Sequence, residues 1–283
     1  MGLDVKNMMI RTVSGLAYVG LLIGAIILGP IVAAVLLSVF AVLANYEISR
    51  NTVAVKNPDK WIITWLLDSM CLVCFIFVFT LKAPVSQYAA VTCGVLVLLR
   101  FVAQIFLFQD RPLYSISLFT MELIYVGVPL GLLVYAVSWI NNPWIIVCAL
   151  SMIWINDTGA YLIGSLFGRR RMFPKLSPKK SWEGFFGGLL FNVGAAFIFF
   201  YCFHLDSYEF LSNPIGWIFI GVCVTVFATL GDLFESMLKR SLSIKDFSQI
   251  IPGHGGVLDR IDSLLFVIPA VLLSIYLAQL MIS

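Results

Sequence analysis

The chain has 283 residues, of which 61% are apolar and only 12% are charged, and its mean hydropathy is +1.00. This composition excludes a water-soluble globular domain, in which apolar residues make up about half of the chain or less. The formal net charge of +3 is small, so the positions of the charges carry more information than their sum.

Long apolar runs recur along the whole chain, and each comes close to the length of about 20 residues that crosses a bilayer as a helix. Lipid offers no hydrogen-bond partners for backbone N–H and C=O groups, so a spanning segment must be a helix or a barrel strand. The runs lack the alternation of apolar and polar residues that barrel strands show, so helices are predicted. The sequence predicts an all-α integral membrane protein with about nine transmembrane helices. The predicted spans are 13–29, 31–48, 61–81, 86–108, 116–137, 143–166, 184–204, 214–234 and 262–282.

The loops are too short for a separate soluble domain, so we expect one polytopic membrane domain over 1–283. Its N-terminal helices lie in 1–140 and its polar motifs in 141–283. A cytoplasmic N-terminus places nearly all of the loop lysines and arginines in the cytoplasm and leaves Lys82 on the other side. The positive-inside rule therefore predicts this orientation and a basic cytoplasmic face.

Six ionisable side chains fall within or at the ends of the predicted spans, all in the cytoplasmic half. Buried charges in a bilayer are costly and usually face a polar cavity, so their common depth favours a pocket open to the cytoplasm. The alternative for the first three is that they pair with one another and stabilise the helix bundle. The six residues are Asp68, Arg100, Glu122, Asp157, Asp232 and Asp262.

The first long polar segment follows Asp157, which lies one helical turn before Tyr161. Three glycines, Gly159, Gly164 and Gly168, allow close helix packing or backbone approach to a ligand. The arginines at 169–171 are typical of a helix end anchored at lipid headgroups. The block from Ser177 to Gly184 is more informative, because two lysines between two hydroxyls can bind phosphate oxygens. These four residues are Ser177, Lys179, Lys180 and Ser181.

The second polar segment begins where the eighth span ends. Asp232, Glu235, Ser236 and Lys239 follow one stripe of a helix, and Asp259 and Asp262 are three residues apart at the start of the ninth span. Carboxylates on two neighbouring helix ends can hold Mg²⁺, which prefers oxygen ligands. Basic side chains around them would balance phosphate charge, and two glycines would let backbone N–H groups approach phosphates. These residues are Lys239, Arg240, Lys245, Arg260, Gly255 and Gly256.

His254 precedes those glycines, and either a structural or a catalytic role fits its position. The loop is not a Walker A sequence, since no Gly-Lys-Ser/Thr follows the glycines. Acids, bases and glycines together at a membrane face indicate metal-assisted phosphoryl or nucleotidyl transfer to an anionic substrate.

The motif Ser236-x-Leu238-Lys239-Arg240-x4-Lys245-Asp246-x6-Gly253-His254-Gly255-Gly256-x2-Asp259-Arg260-x-Asp262 closely resembles the hallmark of the CDP-diacylglycerol synthase (phosphatidate cytidylyltransferase) family. The similarity extends to Asp157–Tyr161 and to the Ser177–Gly184 block. The matching motifs lie in the C-terminal half, whereas 50–140 shows only a membrane pattern. One departure is Phe247-Ser248-Gln249, where the family often has a pattern of small residues.

The resemblance implies the reaction of CTP with phosphatidate to give CDP-diacylglycerol and pyrophosphate. It implies a Mg²⁺ centre, with a second cation as an option, at Asp232, Asp259 and Asp262. Lys239 and His254 join these acids as catalytic residues. The residues implied to bind substrate are Asp157, Ser177, Lys179, Lys180, Ser181, Arg240, Lys245, Gly255, Gly256 and Arg260.

The expected partners are CTP, phosphatidate and membrane lipids, with no nucleic acid, and family analogy suggests a homodimer. Similarity to bacterial members suggests the inner membrane, with the active site facing the cytoplasm. Two alternatives remain open: a secondary transporter or ion channel, since acids in helices also mark ion pathways, and a membrane kinase acting on a lipid alcohol such as a polyprenol.

Overall fold

In the computed structural model of the protein, the described residues are 5–56, 58–80, 85–107, 112–140, 142–203, 209–251, 253 and 255–282. Two of the residues interpreted above, Lys82 and His254, lie outside this set. The helices are α1 (Val5–Leu28), α2 (Pro30–Lys56), α3 (Trp61–Val78), α4 (Val85–Leu107), α5 (Pro112–Trp139), α6 (Pro143–Phe167), α7 (Trp182–Phe203), α8 (Pro214–Ser241) and α9 (Leu258–Ile282).

The remaining regular structure is short. A two-stranded antiparallel hairpin, β1 (Arg171–Phe173) and β2 (Ser177–Ser181), connects α6 to α7, and one turn of 3₁₀ helix covers Glu209–Leu211. The prediction of an all-α membrane protein is confirmed in its essentials, although the hairpin was not predicted. Among the described residues, eight helices are long and apolar enough to cross a membrane, and α1 contributes the shorter apolar stretch Thr12–Leu28.

Glycine, proline and asparagine set several helix boundaries. Gly29 has φ +110°, a left-handed conformation that ends α1, and Pro30 then occupies the first position of α2. Asn142 and Asn213 cap α6 and α8, since each side chain accepts a hydrogen bond from the backbone N–H two residues later. A proline follows each of these caps, where its missing N–H costs nothing.

The chain forms two compact units. The first contains Met1–Ser138 and Ile244–Ile261, which comprise helices α1 to α5, the glycine-rich segment before α9 and the first turn of α9. Within it, α2 packs against α1 and α3, and α3 packs against α4. A π-helical turn, Leu123–Gly127, interrupts α5 directly after the buried Glu122. Such turns mark local departures from regular helical hydrogen bonding.

A buried polar network lies inside this first unit. Arg100 of α4 is 1% exposed, forms an ion pair with Asp68 of α3, and donates hydrogen bonds to Gln104 (2.9 Å) and Ser115 (3.0 Å). A buried guanidinium must have such partners, because an unpaired charge in a bilayer is costly. The structure thus supports the interpretation that Asp68 and Arg100 stabilise the bundle.

The second unit contains Trp139–Ser243 and Asp262–Ser283. Helix α7 packs against both α6 and α8, and glycines allow the α6–α7 approach. A Cβ added at Gly184 would lie 2.9 Å from the Ala160 carbonyl oxygen, and one at Gly159 would lie 2.7 Å from the Phe191 ring. The predicted role of Gly159 in close helix packing is therefore confirmed. All of the cavity described below is built from this unit.

Candidate active site

The second unit contains a cavity of about 530 Å³, which is within the usual size range of small-molecule sites. One part of its lining is charged, with Asp157, Lys179, Lys180 and Asp232. Another part is apolar and comes from helices α6, α7 and α8, with Ala160, Tyr161, Phe185 and Ala228 among its residues. A cavity with both linings can hold an ionic group beside an apolar one.

The hairpin brings the predicted phosphate-binding block to this cavity. Its lining includes all four residues of that block, Ser177, Lys179, Lys180 and Ser181. Ser181 is 4% exposed, and its hydroxyl accepts a hydrogen bond from the Gly184 N–H (3.2 Å), which caps α7. This serine therefore also fixes the start of α7, and the first residues of α7 form part of the cavity wall.

Glu183 stabilises the start of the first hairpin strand, next to Ser181, a role that was not predicted. Its carboxylate accepts hydrogen bonds from the backbone N–H groups of Arg169 (3.2 Å) and Arg170 (3.1 Å). The Arg171 guanidinium donates to the Lys179 carbonyl oxygen (3.0 Å) across the hairpin. The arginines thus turn the chain back towards α7 in addition to carrying charge.

Three carboxylates meet where α8 and α9 approach each other. Oxygen atoms of Asp232, Glu235 and Asp262 all lie within 4.8 Å of one another, close enough to bind one cation. Asp232 also belongs to the cavity lining, so the cluster and the cavity share a residue. The predicted convergence of Asp232 and Asp262 is therefore observed, with Glu235 as the third member.

Two lysines neutralise part of this acidic charge. Lys180 Nζ lies 2.8 Å from Asp232 Oδ2 and donates to the Thr229 carbonyl oxygen at 3.2 Å. Lys239 Nζ lies 2.5 Å from Glu235 Oε2, one helical turn away on α8. The side chain of Asp232 remains 41% exposed, so it can accept a further ligand.

The approach of α8 to α9 depends on Gly231. A Cβ at this position would lie 2.7 Å from the Asp262 carbonyl oxygen and 3.0 Å from the Ser263 Cα. Both are backbone atoms, which cannot move aside as a flexible side chain can. Because Gly231 precedes Asp232, its size controls how close Asp232 and Asp262 can come.

We expect Gly231→Ala to separate α8 from α9, to destabilise the protein by about 1–3 kcal/mol and to reduce activity strongly. Thermal unfolding in detergent, together with the turnover assay described below, would measure both effects. Gly194→Ala is the matched control, since Gly194 lies in α7 with open space around its Cβ position. It should leave both quantities nearly unchanged, and equal behaviour of the two variants would contradict the steric explanation.

Asp259 lies in the first unit, in the first turn of α9. Its Oδ2 accepts hydrogen bonds from the backbone N–H groups of Gly256 (2.8 Å) and Phe247 (3.1 Å). This carboxylate thus holds the glycine-rich segment. Its predicted role as a metal ligand stays a prediction, and so does the predicted contact of the Gly256 N–H with phosphate.

The other predicted substrate-binding residues are accessible. Arg240 is exposed at the end of α8, and Lys245 and Arg260 are exposed in the first unit. Gly255 adopts a left-handed conformation with φ +85°, which a residue with a side chain adopts at a cost. Binding of phosphate by these residues stays a prediction.

Comparison with known proteins places these features in a family. The profile of the cytidylyltransferase family matches residues 9–278. A phosphatidate cytidylyltransferase of Haemophilus influenzae is 48% identical over 120 residues, which cover 42% of this chain and 41% of that protein. A phosphatidate cytidylyltransferase of Staphylococcus haemolyticus is 38% identical over 162 residues, covering 56% of this chain and 58% of that protein.

The phosphatidate cytidylyltransferase of Staphylococcus aureus strain COL is 39% identical over 163 residues, with 56% of this chain and 58% of that protein covered. The chain thus spans about half the length of the curated relatives it matches. The family profile, in contrast, extends through all nine helices and both polar motifs. Because this match covers most of the chain, the chain belongs to the cytidylyltransferase family.

Proposed function

We propose that the protein transfers the cytidylyl group of CTP to phosphatidate and releases pyrophosphate, which yields CDP-diacylglycerol for phospholipid synthesis. The observation that carries the proposal is a cavity lined by Lys179, Lys180 and Asp232 whose acidic wall continues into a three-carboxylate cluster. The names of the relatives support the choice of substrates.

The proposed reaction needs no strong general base. A phosphate oxygen of phosphatidate attacks the α-phosphorus of CTP, and the new P–O bond forms as the bond from the α-phosphorus to the bridging oxygen breaks. The electron pair of that bond leaves with pyrophosphate. Because the lipid phosphate is already ionised at neutral pH, the protein needs mainly to position the reactants and to neutralise their charge.

The carboxylate cluster fits Mg²⁺ by the chemistry of its donors. Asp232, Glu235 and Asp262 offer only oxygen atoms, and these are near enough to share one ion. We propose that this cluster holds Mg²⁺, with a second cation as an option; metal binding by Asp259 stays a separate prediction. When bound, the ion would polarise phosphate oxygens and stabilise the leaving pyrophosphate.

The lysines are proposed to take up the remaining phosphate charge. Lys180 bridges the cavity and the carboxylate cluster through its 2.8 Å contact with Asp232, so it is placed to contact a phosphate group next to the metal site. Lys179 is exposed at the cavity wall, and Lys239 balances Glu235. These contacts would orient the triphosphate and the lipid phosphate relative to each other.

We further propose that the cavity opens to the cytoplasm of a bacterial inner membrane, where CTP is supplied. The asymmetric distribution of lysine and arginine along the sequence supports a cytoplasmic N-terminus, and the bacterial sources of the relatives support the location. A homodimer is proposed by family analogy.

The test is an assay on purified protein in lipid nanodiscs that contain phosphatidate and a polyprenol, with Mg²⁺ and CTP labelled at either the α- or the γ-phosphate. The proposal expects α-label in a lipid product and γ-label only in pyrophosphate. Transfer of γ-label to a lipid alcohol would establish a kinase instead. A protein that consumes no CTP and conducts ions would support the alternative of a transporter or ion channel.

A further inference from the structure

Glu47 of α2 is a fully buried carboxylate with an unusual set of hydrogen-bond donors. It is 0% exposed. Its Oε1 accepts from the Val257 N–H (2.8 Å) and from the Ser248 hydroxyl (2.5 Å), and its Oε2 accepts from the Leu258 N–H (2.9 Å). All of these residues belong to the first unit. A buried carboxylate with three donors is well satisfied, since hydrogen bonds to charged groups are the strong ones.

Two of the donors are the N–H groups at the start of α9, which begins at Leu258. The first N–H groups of a helix have no partner within the helix, and the helix dipole favours a negative charge at that end. Glu47 therefore acts as an N-terminal cap that comes from about two hundred residues earlier in the chain. It fixes the position at which the glycine-rich segment becomes helical.

A second residue of α2 holds the same segment from its other end. Asn51 lies one helical turn after Glu47, and its side-chain amide donates to the Phe247 carbonyl oxygen at 2.8 Å. The Asp259 carboxylate closes the segment on itself by accepting from Phe247 and Gly256. The segment 247–258 is thus attached to α2 at both of its ends.

The position of Glu47 also explains why residue 256 is a glycine. A Cβ at Gly256 would lie 2.5 Å from Glu47 Oε1 and 2.7 Å from its Cδ. Only Gly29, Gly253 and Gly255 have a positive φ among the described glycines, so the backbone conformation of Gly256 does not itself demand glycine. The requirement at this position is space for the Glu47 carboxylate.

We propose that Glu47 is a positioning residue of the cytidylyltransferase, which acts by holding the 247–258 segment and the start of α9 in one conformation. That segment leads directly into Asp259 and Arg260 and carries Gly255 and Gly256, all of which the sequence assigns to substrate or metal. The inference rests on the proposed function for its effect on turnover. The local effect on the segment does not depend on that function.

The experiment compares Glu47→Gln with the wild-type protein in nanodiscs by amide hydrogen exchange and by turnover of CTP with phosphatidate. A glutamine side chain offers one acceptor oxygen instead of two, so Val257 or Leu258 loses its partner. We expect amides in 247–258 to exchange faster by about tenfold or more, and kcat to fall by about ten- to a hundredfold. Glu47→Asp should recover part of both losses, because it keeps both oxygens.

Glu122→Gln is the matched control, since Glu122 is another buried glutamate of the first unit, 2% exposed, and its electrostatic neighbours are Asp68 and Arg100. It should leave both the exchange of 247–258 and kcat within about twofold of the wild-type values. Wild-type exchange and turnover in Glu47→Gln would overturn the proposal. If the wild-type protein forms no CDP-diacylglycerol, the proposed function fails, and the exchange data still decide whether Glu47 holds the segment.

A double-substitution cycle tests the steric part without relying on one variant. Gly256→Ala alone should lower kcat by about tenfold or more, because its Cβ meets the Glu47 carboxylate. Glu47→Asp withdraws that carboxylate, so the double variant should lose less activity than the product of the two single losses. Independent, multiplicative losses would contradict the contact as the reason for glycine at 256.

Discussion

Substitution of Asp232 by asparagine is expected to lower the rate of CDP-diacylglycerol formation by about a hundred- to a thousandfold. Asparagine has the shape of aspartate, so the fold should persist, but the three-carboxylate cluster loses one of its negative charges. The same change also leaves Lys180 without its ionic partner. Both changes weaken the neutralisation of the negative charge of the triphosphate, which is the main proposed role of this site.

The measurement is the dependence of turnover on Mg²⁺ concentration. Asp232→Asn, Glu235→Gln and Asp262→Asn should each raise the Mg²⁺ concentration needed for half-maximal activity. Asp59→Asn is the control, because Asp59 is exposed in the turn between α2 and α3. An unchanged Mg²⁺ requirement in all three cluster variants would remove the metal from this cluster.

Asp259→Asn separates the two roles that this residue can have. As the predicted metal ligand, Asp259 would raise the Mg²⁺ requirement when it is replaced, together with a nearly complete loss of turnover. As a residue that only accepts the Phe247 and Gly256 N–H groups, it would affect turnover alone. A normal Mg²⁺ requirement in this variant would therefore remove Asp259 from the metal assignment.

The helices were predictable from sequence because the backbone N–H and C=O groups of each span must all be hydrogen-bonded within the protein. A long apolar run without strand alternation meets this requirement as a helix. The boundaries were less accurate where polar sequence continues a helix. Helix α8 extends to Ser241 and α9 begins at Leu258, although the apolar runs end at 234 and begin at 262. The polar turns at these ends carry Glu235 and two predicted site residues, Lys239 and Asp259, so hydropathy alone leaves these three outside the helices.

The carboxylate cluster was partly predictable from helix geometry. Asp232 and Glu235 are three residues apart on one helix and so share a face, which is a signal that local spacing provides. Its meeting with Asp262 needs the close α8–α9 approach that Gly231 allows. The role of Glu47 could not be predicted from local sequence, because its hydrogen-bond partners lie more than two hundred residues away. No spacing rule for a helix or a strand relates residues that far apart.

Replacement of Lys180 by methionine is the second change with a large expected effect. Methionine keeps the length and much of the apolar volume of lysine but removes its charge and its hydrogen bonds to Asp232 and to the Thr229 carbonyl oxygen. We expect kcat/KM for CTP to fall by about a hundredfold, since charge-assisted contacts to phosphate are strong. Lys180→Arg should retain part of the activity, because it keeps the charge but changes the geometry.

Lys175→Met is the matched control, because Lys175 lies in the same hairpin connection but is exposed and is not part of the cavity lining. Steady-state assays at varied CTP and at varied phosphatidate would show which substrate the loss concerns. A loss confined to the KM for phosphatidate would assign Lys180 to the lipid phosphate instead of the triphosphate. Equal losses in Lys175→Met and Lys180→Met would mean that the hairpin acts through its overall charge, and the specific contact with Asp232 would then have no catalytic role.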